Sequence, residues 1–265
     1  MKQFGRMLGL IVLSGLCLQL YFAARIALMN VVDPQSTTFQ RSEMVRIVSA
    51  QGRLLWSQQS VPGSAISDQL RRAVITSEDA GFVDHRGVEW DALQAAWRKN
   101  TQAKARAEKQ AQAQQARYER SLARAKARGR TPPPSPTANP PTAKVIGGST
   151  ITQQLAKNLF LSSERNLLRK GQEFLITFML EGLLSKDRIL TLYLNNVEWG
   201  EGVFGAQAAA RHYFGADAAR LSAHQAARLA VMLPAPKRFE KQPGSSYILG
   251  RSGTIVARMG GAEIP

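Results

Sequence analysis

Residues 147–158 read Gly-Gly-Ser-Thr-Ile-Thr-Gln-Gln-Leu-Ala-Lys-Asn. Thr150-x-x-Gln153 is a capping box: a hydroxyl and an amide exchange hydrogen bonds with the backbone of a helix start. Ile151, Leu155 and Leu159 then recur every four residues, the spacing of one buried helical stripe. Two glycines before a capped start leave backbone N–H groups at the positive end of a helix, an arrangement that receives anions. Gln153 and Lys157 lie one turn apart and share another face. The stretch is not a nucleotide loop, because neither G-x-x-x-x-G-K-[ST] nor G-x-G-x-x-G occurs.

The same periodicity extends outward. From Ser67 the pattern is helical, with Leu70, Val74 and Ile75 on one face. Ser222-x-x-Gln225 is a second capping box, and Leu233-Pro234-Ala235-Pro236 stops the helix that follows. Few segments alternate with period two, so the fold class is mainly α. Residues 30–64 read as a linker, with Met44–Val48 and Arg53–Trp56 as short strands. The main domain covers 65–250 and a C-terminal tail 251–265.

The N-terminus, residues 1–29, is a different material. Met7 to Ala24 is eighteen residues without a formal charge. A helix of roughly 20 apolar residues spans a bilayer. Lys2 and Arg6 precede the run, which favours a cytoplasmic tip, and Arg25 follows where its side chain can snorkel. Phe22-Ala23-Ala24 makes a poor cleavage site, so the run reads as a retained single-pass transmembrane anchor rather than a signal peptide.

The chain has 265 residues and a net charge of +16. Residues 98–144 hold twelve Lys or Arg against two Glu, which is +10 of that total. Alanine supplies nearly all of their apolar content, so the segment cannot bury a face. It reads as a basic insertion, helical in its first part and extended through Thr131-Pro-Pro-Pro-Ser-Pro136. Its cations are a solvated face or a contact with anionic lipid headgroups near the anchor. No aromatic stacking pattern accompanies them, which argues against nucleic acid. Cys17 is the single cysteine, and no cysteine and histidine spacing suggests zinc.

Three further stretches could carry chemistry. Ser77-Glu78-Asp79-Ala-Gly-Phe82-Val-Asp84-His85-Arg-Gly87 crowds carboxylates beside an aromatic ring and a glycine turn. Apolar surroundings push a carboxyl pKa upward, which suits a general base. On residue types alone, acids ending a helix are the simpler reading. Arg165-Asn-Leu-Leu-Arg169-Lys170-Gly-Gln-Glu173 sets cations one turn from a carboxylate. Lys186-Asp-Arg188-Ile189-Leu190-Thr-Leu192-Tyr193-Leu194-Asn195 is core helix with a polar end.

Taken in order, these blocks closely resemble glycosyltransferase family 51, the biosynthetic peptidoglycan transglycosylases. The match rests on Glu78-Asp79-x-x-Phe82-x-x-His85-x-Gly87, GGSTITQQLAKN at 147–158, Arg169-Lys170-x-x-Glu173, Lys186-x-x-Ile189-Leu190-x-x-Tyr193-Leu194-Asn195 and Ala226-Ala227-x-Leu229-Ala230-x-x-Leu233-Pro234-x-Pro236. It covers about residues 65–241, less the insertion. No S-x-x-K or K-T-G occurs, so the resemblance is to the monofunctional enzymes, without transpeptidase activity.

The resemblance implies a lysozyme-like, mainly α domain with a membrane-proximal jaw. It implies that Glu78 is the base acting on the 4-hydroxyl of lipid II, and that undecaprenyl pyrophosphate leaves with inversion. Lys157 and Arg165 match positions that hold pyrophosphate. Glu173 matches the second carboxylate, with room for a divalent cation (Mg or Mn) as cofactor. Ser149, Gln153, Arg169, Lys170, Asp79 and His85 match positions lining the same region. Gly81 stands where many relatives carry a basic residue. The implied partners are lipid II, the lipid-linked glycan chain, the bacterial inner membrane and penicillin-binding or cell-division proteins, with the catalytic domain in the periplasm.

Overall fold

A computed structural model describes residues 2–129, 131, 147–161 and 166–265. It forms two compact units, one of Met1–Val88 with Thr150–Pro265 and one of Glu89–Ser149. The fold is mainly α with an N-terminal apolar helix, a lysozyme-like domain.

In the first unit, α1 (Lys2–Leu28) is followed by α2 (Thr38–Gln51), β1 (Ser57–Gln58) and α3 (Asp68–Glu78). The second unit is built on one long helix, α4 (Trp90–Ala127). The first unit resumes with α5 (Ile151–Phe160), α6 (Leu167–Leu183) and α7 (Lys186–Asn196). Then come β2 (Glu198–Gly200), β3 (Val203–Phe204), α8 (Ala206–Phe214), α9 (Ala223–Met232), α10 (Pro236–Phe239) and α11 (Ser246–Arg258).

Both expected capping boxes form, at Thr150–Gln153 and Ser222–Gln225. A third at Thr37–Gln40 starts α2, where the sequence suggested a linker with short strands. Met44–Val48 is therefore helical: the cap and a left-handed Gly52 at the far end bracket one continuous helix. Apolar residues there do not alternate strictly, and Ile47 alone among them is fully buried. The sheet is small, in the order β1-β3-β2, with β1 parallel and β2 antiparallel to β3. It forms the floor under α8, and Trp56 stacks on Phe204 at 4.5 Å.

The core gathers Leu70, Val74 and Ile75 from α3, Ile151 and Leu155 from α5, Ile176 and Leu180 from α6, and Tyr193 from α7. Residues 251–265, expected as a tail, begin inside α11, and Ser252, Ile255 and Met259 are buried against the rest. The spacing of Ile248, Ser252 and Ile255, four residues and then three, continues one buried helical face past residue 250.

Helix α1 fits a single-pass membrane anchor by length and apolarity. Its C-terminal turns are part of the core: Phe22, Ile26 and Met29 are buried, and Phe22 meets Phe160 edge-on at 5.1 Å. Arg25 lies over the Phe160 ring, 5.7 Å from its centroid, so its cation is placed by an aromatic neighbour. Midway along α1, Gln19 and Gln172 of α6 exchange two amide hydrogen bonds, each 2.9 Å. An amide on an apolar helix is costly unless partnered. Lower down, Arg188 donates to the Met29 carbonyl at 2.6 Å and pairs with Asp33.

This pair makes a double-mutant cycle informative. Gln19→Leu or Gln172→Leu alone leaves one amide unpaired and should cost about 1 kcal/mol. The double Leu variant should recover most of that loss. Thermal unfolding of the full chain in nanodiscs reads both; additive losses would show that the amides do not act as a pair.

Candidate active site

The first unit assembles the site around α5, whose N-terminus is where the chain returns after α4. Asp79 lies just past the end of α3 and is 5% exposed. Its Oδ2 accepts the Ile151 N–H at 2.9 Å, so a carboxylate sits at the positive end of α5. Its Oδ1 lies 2.7 Å from His85 Nε2. His85 Nδ1 accepts the Gly87 N–H at 3.1 Å, which leaves the ring proton on Nε2, donated to Asp79. The Thr150 hydroxyl donates to the Gly87 carbonyl at 2.6 Å. Asp79 and His85, expected to line the substrate, are thus bonded to each other and to backbone.

Glu78, one residue earlier, points differently. It is half-buried, and its Oε2 accepts from Gln154 Nε2 at 3.0 Å. Gln154 Oε1 in turn accepts the Tyr193 hydroxyl at 3.0 Å. Burial raises the Glu78 carboxyl above its ordinary 4.5, the Gln154 hydrogen bond opposes this, and the Asp79 charge adds to it. Burial also pushes the Tyr193 phenol up, with Glu78 and Asp79 contributing, so Tyr193 stays a hydrogen-bond donor.

Gln153 takes the capping role that its spacing suggested. It is 1% exposed, and its Oε1 accepts the Thr150 N–H at 3.1 Å to close the capping box. Its Nε2 has no hydrogen-bond partner among the described residues. The neighbour, Gln154, reaches the carboxylate instead. The capping box itself carried that signal, because a residue spent on the cap is not free to hold Glu78.

On α6, Glu173 is 3% exposed. Arg169 donates to its Oε2 at 3.0 Å, and Lys170 donates to its Oε1. Lys157 is exposed on α5, one turn after Gln153. Ser149 is exposed and belongs to the second unit. Arg165 lies outside the described residues.

A charged clamp joins these helices. Thr152 donates to Glu181 Oε1 at 2.6 Å, and Lys186 pairs with Glu181 at 2.9 Å. Lys186 also donates to the His85 carbonyl at 2.7 Å and stands 4.5 Å over the Phe82 ring. A cavity of about 530 Å³ opens beside the clamp, lined by His85, Arg86, Phe178, Glu181 and Lys186 among others. Gly87 makes the approach to α6 possible: its φ is +83°, and a Cβ there would lie 2.7 Å from Thr177 Cγ2.

The transglycosylase family model matches residues 49–112 and 138–260. A biosynthetic peptidoglycan transglycosylase from Burkholderia pseudomallei (strain K96243) is 46% identical over 250 residues, 94% of this chain and 83% of that protein. One from Paraburkholderia xenovorans (strain LB400) is 44% identical over 257 residues, covering 97% and 91%. One from Cupriavidus metallidurans is 44% identical over 273 residues and covers both chains completely. The chain belongs to the family of biosynthetic peptidoglycan transglycosylases and is an enzyme of the glycosyltransferase class.

Gly87→Ala should destabilise the protein by roughly 2 kcal/mol or more, from left-handed backbone strain together with overpacking against Thr177 and Glu181. Thermal unfolding checks it. A neutral result would mean that the turn and α6 can move apart.

Proposed function

We propose that this chain polymerises peptidoglycan glycan strands from lipid II. Glu78 takes the proton of the lipid II 4-hydroxyl. The freed oxygen attacks the anomeric carbon of the growing, lipid-linked chain from the face opposite its phosphate. The new glycosidic bond forms as the bond to undecaprenyl pyrophosphate breaks, with inversion. The observation that carries this reading is a half-buried carboxyl held by Gln154, which Tyr193 holds in turn, its proton affinity raised by burial. A base poised closer to neutrality transfers protons more effectively.

Asp79 and His85 are assigned as positioning residues: together they fix the end of α3 against the start of α5. The leaving pyrophosphate needs fixed positive charge. Lys157, Arg165, Arg169 and Lys170 are assigned to supply it, with Glu173 holding Arg169 and Lys170 in place. Ser149 and the Gln153 Nε2 are assigned to the same substrate region. Glu173 does not fit a divalent cation in this arrangement, because both its oxygens already meet cationic donors. The sequence of Lys2, Arg6 and the apolar run supports a cytoplasmic tip and an outward-facing domain. The activity proposed for these 265 residues is glycosyl transfer.

The test is polymerisation of lipid II by the full chain. Glu78→Gln keeps size and removes the base, and should lower the rate about 10²–10⁴-fold with the fold retained. Cleavage of preformed glycan without synthesis would overturn the proposal in favour of a lytic enzyme. The pH profile has a definite sign. A base works deprotonated, so the rate should fall on the acid side, with a midpoint above the ordinary 4.5. Gln154→Leu removes the bond that favours ionised Glu78, and should move that midpoint to higher pH. An unmoved acid limb would place the base elsewhere.

A further inference from the structure

Helix α4 is electrostatically one-sided. At 100° per residue, Lys99, Arg106, Lys109, Arg117, Arg120 and Arg124 fall within an arc of about 80°. All six are exposed. From Lys99 to Arg124 the face runs for about 38 Å at 1.5 Å per residue. Both glutamates of this stretch, Glu108 and Glu119, lie on the opposite side. There they are locally engaged: Glu108 pairs with Lys104, and Glu119 accepts from Gln115. The acids thus neutralise one side and leave the other purely cationic.

The family match stops at residue 112 and resumes at 138, so Arg117, Arg120 and Arg124 belong to a stretch outside it. These three arginines and Ser121 border a concave space of about 340 Å³. The exposed aromatics of α4, Trp90 and Trp97, lie on the opposite side of its first turns. Along the cationic face the remaining surface is mostly alanine and glutamine, too small or too polar to enter the acyl region.

We propose that this face of α4 adsorbs on the anionic phospholipid headgroups of the bilayer that holds α1. The anchor keeps a bilayer surface at high effective concentration, so a weak electrostatic contact is enough. Each cation near such a surface strengthens the contact about fivefold at moderate salt. The contact is independent of which carboxylate is the base.

The test uses the full chain in nanodiscs, with Cys17→Ala and a donor dye on Ala113→Cys, an exposed position on the cationic face. Energy transfer to a headgroup-labelled lipid is compared between discs of phosphatidylcholine and discs one-third phosphatidylglycerol. Transfer should be higher in the anionic discs and fall when salt is raised tenfold. Arg117→Gln with Arg124→Gln should lower it, whereas Lys104→Gln with Lys126→Gln, an equal loss of charge on the other side, should not. Glutamine keeps helix propensity, and circular dichroism verifies the helix in both variants. Equal transfer in the two discs overturns the proposal, as does an equal effect of the two pairs. Loss of transfer on adding millimolar inorganic phosphate at constant ionic strength would assign the face to a free ion, and also overturns it.

Discussion

The Asp79 carboxylate holds two remote parts of the chain in register. One oxygen accepts the Ile151 N–H at the start of α5, and the other meets His85. Donor and acceptor of the first bond are 72 residues apart. Beside it, the Thr150 hydroxyl binds the Gly87 carbonyl. These two bonds close the chain on either side of the second unit. Loop-closure entropy grows only slowly with length, so a long excursion costs little once both ends are fixed. The basic segment is tolerated because its exit and return are stapled by two buried hydrogen bonds, the one to Asp79 charge-assisted.

The same staple sets the chemistry. Glu78 immediately precedes Asp79, so fixing one fixes the backbone of the other. The two carboxyls then diverge: Asp79 is saturated by N–H donors, while Glu78 takes one amide and stays half-buried. Their proximity adds a repulsion that favours the neutral form of Glu78. Two adjacent acids acquire two roles from their surroundings, one structural and one suited to accept a proton.

Much of this was legible in the sequence where local rules act. The capping boxes, the buried stripe of α5 and the apolar face of α3 follow from spacing alone. The family followed from the order of the blocks. What escaped was tertiary. Helix α2 has no apolar periodicity to announce it, and its cap is its clearest mark. The division of labour between Gln153 and Gln154 depends on which amide the cap consumes. The Ile151 partner of Asp79 is 72 residues away, so its pairing with a helix N-terminus was not readable from its neighbours.

The anchor shows how far this dependence reaches. A tether needs only apolar length, yet α1 carries Gln19, an amide with an exact complement on α6. Gln172 is the residue before Glu173, so the bonds that orient the anchor also orient the turn presenting the second carboxylate. Arg25 on Phe160 does the same at the end of α5. Both helices assigned to the leaving-group side are thus fixed to the apolar helix α1. Under the proposed function, in which the substrate's lipid stays in the bilayer, these side-chain bonds would set the height of the cations above the membrane in place of a flexible linker.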